Sequence, residues 1–120
     1  MTATTLTEYR IGTIGGIPRG EGRVFLVGSR RVAVFHTRAG EVYATQAECP
    51  HRGGPLADGL MGGTTLICPL HAWAFDLATG AARTGDCALE TYPVRVTESG
   101  EIVLILDETA ADDARTDMAA

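Results

Sequence analysis

Two short runs carry the side chains best suited to chemistry, Cys49-Pro50-His51-Arg52-Gly53-Gly54-Pro55 and Cys68-Pro69-Leu70-His71-Ala72-Trp73. The first is a Cys-x-His and the second a Cys-x-x-His, with sixteen residues between His51 and Cys68. Together they hold two of the three cysteines and two of the three histidines. Thiolates are soft ligands and imidazoles borderline, so this set suits zinc or an iron–sulfur cluster, and ligand type alone leaves both open. Common zinc modules place Cys pairs before His pairs, because each local pair fills two corners of one tetrahedron. Here each run offers one ligand of each kind. That order suits a two-iron centre in which both sulfurs converge on one iron and both nitrogens on the other.

Cys-x-His, sixteen residues and Cys-x-x-His resembles the signature of the Rieske [2Fe–2S] proteins, and Cys68 to Trp73 closely matches the second loop of that family. The similarity runs from about Glu8 to Leu106 and includes the turn Asp76-Leu77-Ala78-Thr79-Gly80 and the strand start Tyr92-Pro93-Val94. The resemblance implies one [2Fe–2S] cluster held by Cys49, His51, Cys68 and His71, with the cysteines inward and the histidines at the exposed edge through which electrons leave. It further implies an electron carrier rather than an enzyme, docking around Arg52, Pro55, Leu70 and Trp73.

Rieske proteins of the cytochrome bc complexes carry an additional, disulfide-bonded cysteine in each loop; Gly54 and Leu70 stand at those positions here. They also place a Ser and a Tyr, two and four residues after the last ligand, whose hydroxyls donate hydrogen bonds to the cluster and its ligand sulfur. This chain has Trp73 and Phe75. Hydrogen bonds to sulfur stabilise the more negative reduced state, so their loss predicts a potential near the lower end of the roughly −150 to +300 mV range of Rieske centres. Oxygenase α subunits need a second iron on two histidines and a carboxylate, and only His36 remains for that.

The resemblance leaves two systems. One is a dioxygenase ferredoxin component between an NAD(P)H or flavin reductase and a terminal oxygenase. The other is the small subunit of an assimilatory NAD(P)H nitrite reductase beside its large subunit. The run Arg52 to Gly59 looks more like the nitrite-reductase group, whereas retention of all four ligands favours a working ferredoxin. The competing classes are a structural zinc module and a non-redox accessory subunit.

The elements that must position these loops are strands. Runs rich in Val, Ile, Phe, Tyr and Thr recur at Arg23–Val27, Arg31–His36, Glu41–Gln46, Thr64–Ile67, Trp73–Leu77, Thr91–Thr97 and Glu101–Leu106, with glycine turns at Gly28, Gly40, Met61-Gly62-Gly63, Gly80 and Gly100. Val32 and Val34 alternate with Ala33 and Phe35, which asks for at least one buried face. The expected fold is all-β, an antiparallel sandwich or small barrel of the Rieske type with a cluster-binding subdomain formed by two loops. One domain is expected over 1–107, with its cluster-binding portion at about 47–86 and a disordered acidic tail at 108–120. His36 reads as a surface or satisfied core histidine, and Cys87 as a bystander thiol.

Composition narrows the partners. Of the net charge of −5, the last fourteen residues contribute −4, from five acids against Arg115, so the body is nearly neutral. No clustered basic and aromatic face suggests nucleic acid. Nothing in the first residues resembles a leader and no apolar run reaches membrane-spanning length, which with three cysteines points to a reducing cytoplasm.

Overall fold

A computed structural model describes residues 6–28, 30–49, 55–69, 74–83 and 88–107. The strands in chain order are β1 (Leu6–Thr13), β2 (Glu21–Val27), β3 (Arg30–His36), β4 (Val42–Gln46), β5 (Leu60–Gly62), β6 (Thr65–Ile67), β7 (Ala74–Asp76), β8 (Thr91–Tyr92), β9 (Val94–Val96) and β10 (Glu101–Asp107). They form three antiparallel sheets of order β1-β10-β9, β2-β3-β4-β8 and β5-β6-β7. This is the all-β antiparallel architecture expected from the sequence.

Strand β3 is the wall on which the molecule is built. Its residues Val32, Val34, Ala33 and Phe35 are all fully buried, so the alternation reports two buried faces rather than one. Val32 and Val34 face a core with Val27, Ala44, Ile102, Leu104 and Leu106, sandwiched against β10. Ala33 and Phe35 face a second core with Leu56, Leu66, Phe75, Leu77 and Leu89, which carries the small sheet.

Three elements differ from the sequence expectation. Strand β1 was not anticipated; it pairs with β10 from Leu6↔Asp107 to Thr13↔Glu101, a partner at the far end of the chain. Its alternation of inward Thr7, Tyr9 and Ile11 with exposed Leu6, Glu8 and Arg10 is nevertheless a period-two signal. The run Thr91–Thr97 is two strands, because Pro93 has no N–H to continue the ladder. Before it β8 pairs with β4, after it β9 pairs with β10, and the Pro93 carbonyl accepts from Ile105 N at 3.0 Å. Met61 and Gly62 lie in β5, so the turn moves to Gly63 and Thr64. The glycine turns at 28, 40, 80 and 100 all have left-handed φ.

Candidate metal centre

Each cysteine is the first residue of a loop, directly after the pair that closes it. Glu48 bridges Pro55, closing 49–54, and Ile67 pairs with Ala74, closing 68–73. Two loops of equal length thus start from ladder rungs with cysteine at the same position in both. Cys49 and Cys68 are 3% and 1% exposed and lie in one buried cluster with Leu56, Leu66, Phe75, Leu77 and Leu89. Two soft sulfurs shielded from water at the base of neighbouring loops fit the thiolate half of a mixed sulfur–nitrogen centre. Among the described residues no third metal-binding side chain joins them. His51 and His71, with Pro50, Arg52, Gly53, Gly54, Leu70, Trp73 and Cys87, lie outside the described residues. Pro55, which closes the first loop, and Pro69, the second residue of the other, are exposed.

The loop bases are held by backbone contacts that need particular residues. After Pro55 the chain makes a 3-10 turn, Leu56–Asp58, whose Leu56 N–H donates to Ala47 O at 3.0 Å while its side chain is buried. At Gly59 a Cβ would run into the Ile67 carbonyl and come within 3.1 Å of Leu56 O, so only glycine lets the turn lie against the strand that delivers Cys68. Gly80, at φ +81°, donates to Asp76 O at 2.6 Å and accepts from Leu89 N at 2.8 Å, and a Cβ there would meet the Leu89 carbonyl.

Phe75 is fully buried, so an aromatic ring without a hydroxyl sits four residues after His71. His36 is half-buried and its Nδ1–H donates to Ile17 O at 2.8 Å, the satisfied structural histidine expected. Beside the first loop, Arg31 pairs with Glu48 at 3.1 Å across a solvent-exposed contact. Arg30 stacks over Tyr92 at 5.5 Å from the ring centroid. Burial holds the Tyr92 hydroxyl above its ordinary value of 10.0, reinforced by Glu90 and opposed by Arg30.

The chain matches the Rieske [2Fe–2S] domain family over residues 7–98. A naphthalene 1,2-dioxygenase system ferredoxin component of Pseudomonas aeruginosa is 34% identical over 91 residues, covering 74% of this chain and 85% of that one. The chain belongs to the Rieske [2Fe–2S] family. Among solved structures, the ferredoxin–oxygenase complex of carbazole 1,9a-dioxygenase matches at 28% identity and a TM-score of 0.70, over 80% of this Rieske chain and 99% of the matched chain. A Mycobacterium tuberculosis chain described as an NADH-dependent nitrite reductase small subunit shares the fold, at 23% identity and a TM-score of 0.75, over 88% of this chain and 97% of that one. The protein is thus an electron carrier with a Rieske-type [2Fe–2S] cofactor, similar to relatives named as ferredoxin components of dioxygenase systems. Among the described residues no helix is long and apolar enough to cross a membrane.

Sequence reasoning named both cysteines and Phe75 but missed the residues that hold the loops. Gly59 stands among glycines at 53, 54, 62 and 63 and follows prolines at 50 and 55, and could have been singled out as a close-approach position.

Proposed function

We propose that this Rieske protein holds its cluster on Cys49, His51, Cys68 and His71 and carries single electrons from an NAD(P)H or flavin reductase to a terminal oxygenase. The observation that carries this reading is the equivalent placement of two buried cysteines, each the first residue after the closing pair of its loop. A Cys-x-His and a Cys-x-x-His begun from such matched positions put one sulfur and one nitrogen donor on each loop. When bound, the cluster supplies a one-electron couple, and its histidine ligands raise the potential above that of an all-cysteine centre. Cys49 and Cys68 keep the sulfur side away from water, while the loops beyond them are the part a partner meets.

A low potential within the Rieske range follows from Phe75, which offers no hydroxyl to a ligand sulfur. The oxygenase is favoured as acceptor because the sequence relatives are ferredoxin components of oxygenase systems, whereas the likeness to nitrite reductase small subunits is one of fold. The domain bounds we assign are 1–107, with the cluster portion at about 47–86 and the acidic segment 108–120 outside it. The cytoplasm, a reducing compartment, is the location this chemistry suits.

The visible spectrum tests the ligand set. Purified under argon, the protein should be red-brown, with two irons and two acid-labile sulfides per chain, and Cys68→Ser should abolish the colour. A colourless protein carrying one zinc would replace the carrier with a structural module. Mixed with a dioxygenase reductase and oxygenase, the holoprotein should support NADH-dependent turnover. Support of a nitrite reductase large subunit instead would reassign the partner.

A further inference from the structure

One side chain joins the base of the first loop to a segment on the far side of the second. Gln46, half-buried at the end of β4, donates from Nε2 to Glu48 O at 2.8 Å and accepts at Oε1 from Glu90 N at 2.8 Å. Its own N–H donates to Glu90 O at 2.9 Å, so backbone and side chain together grip Glu90 at both its N–H and its carbonyl. The Glu48 carbonyl belongs to the peptide that joins Glu48 to Cys49. In a planar trans peptide the carbonyl and the N–H point in opposite directions, so the bond from Gln46 sets the direction of the Cys49 N–H and the plane from which its side chain departs.

Glu90 ends a stretch that is tied at its other end to the second loop. Arg83 N donates to Ala74 O at 2.7 Å, Asp76 N to Ala81 O at 2.9 Å, and Phe75 bridges Ala82, all on the strand that leaves the Cys68 loop. Leu89 N in turn donates to Gly80 O at 2.8 Å. Gln46 is therefore the point where the strand entering the first loop meets the chain leaving the second.

We propose that Gln46 is a positioning residue for the cluster: it fixes the Glu48–Cys49 peptide plane and locks it to Glu90, so that the Cys49 sulfur is held in register with the Cys68 loop. The proposal rests on the ligand set above. Leucine at this position keeps the bulk and removes both side-chain bonds. Glutamate keeps the acceptor for Glu90 N but turns a second oxygen on the Glu48 carbonyl, leaving that carbonyl without its donor.

The test uses the reconstituted holoprotein, with Gln46→Leu, Gln46→Glu and, as a control, Arg31→Gln, which removes only the exposed pair to Glu48. Iron release to a ferrous chelator should be faster in both Gln46 variants by roughly tenfold, the factor expected for one lost hydrogen bond whose partner is left unsatisfied. The electron paramagnetic resonance g-values and the reduction potential of the reduced cluster should shift with it, while Arg31→Gln matches the parent. A Gln46→Glu protein that keeps its sheet melting transition but takes up no cluster also supports the clamp, and it decides the matter if Gln46→Leu does not fold. Unchanged release, g-values and potential in the folded variants would overturn the proposal, even if the melting temperature fell. A parent protein that binds no iron would overturn the ligand set as well, which separates the two failures.

Discussion

The two faces of β3 support cores of different construction. On one face the strands are long and paired over many rungs, Glu21–Val27 with Arg30–His36 and Leu6–Thr13 with Glu101–Asp107, and the core between them is aliphatic. On the other face the strands β5, β6 and β7 are three residues each, and the core holds two cysteines, Phe35 and Phe75. The first core holds itself together by sheet pairing and burial. The second is assembled from turns, and what fixes it is the wall it leans on, a few close backbone approaches and the metal centre we propose at its two cysteines. A metal-binding subdomain can be small because metal–ligand bonds supply cohesion that short strands cannot.

Substitutions in the two cores should separate these roles. Leu104→Ala opens a cavity at a fully buried position in the middle of the aliphatic core. It should cost about 2–5 kcal/mol of global stability in urea titrations of the apoprotein, with reduction potential and g-values of the holoprotein unchanged. A shift in potential comparable to that of a change near the cysteines would mean that the two cores are not separable.

Gly59→Ala acts on the other face, pressing a methyl group into the Ile67 carbonyl beside Cys68. The expected cost is about 1–3 kcal/mol. Its signature should be iron loss at temperatures where the long-stranded sheets still melt normally. Coincident loss of iron and of the sheets would contradict the division.

Phe75→Tyr sharpens the comparison at the centre itself. A hydroxyl placed on this buried ring and bonded to a ligand sulfur favours the reduced state. If worth about 1 kcal/mol, it raises the potential on the order of 40 mV. A lower or unchanged potential in a correctly folded variant would remove Phe75 as a reason for the low potential proposed above.

The smallest effect is at alkaline pH, at Tyr92 on β8. Burial raises the Tyr92 hydroxyl above 10.0, with Glu90 adding to the shift and Arg30 opposing it. A group whose folded value is raised contributes stability that is fully present below the unfolded value and is lost as pH climbs through the folded one. Stability should therefore decline above pH 10, and the decline should be smaller in Tyr92→Phe. Phenolate absorbance that reports Tyr92 ionising below 10.0 would reverse the sign.

Much of this was legible in the chain itself. Cysteine and histidine spacing is local chemistry, so Cys49, His51, Cys68 and His71 can be read as candidate ligands without a fold. The left-handed glycines announced most hairpin turns, because few other residues adopt that backbone. The strand runs were visible wherever apolar alternation was unbroken. Leu6–Thr13 went unread despite its alternation because its partner is β10, at the opposite end of the chain. The break at Pro93 shows as a missing N–H only once two sheets compete for the same strand.

What the sequence determined by itself is what depends on neighbours along the chain: which residues can bind metal, where most of the backbone turns lie, and where apolar alternation runs unbroken. What only the tertiary structure decided depends on neighbours in space. It made β3 a wall with two buried faces, placed Cys49 and Cys68 at equivalent positions in matched loops, and turned Gln46 from an ordinary strand-end amide into the link between them. Hydrogen bonds and packing act over a few ångströms whatever the separation in sequence, and a spacing of 44 residues between Gln46 and Glu90 leaves no local pattern to read.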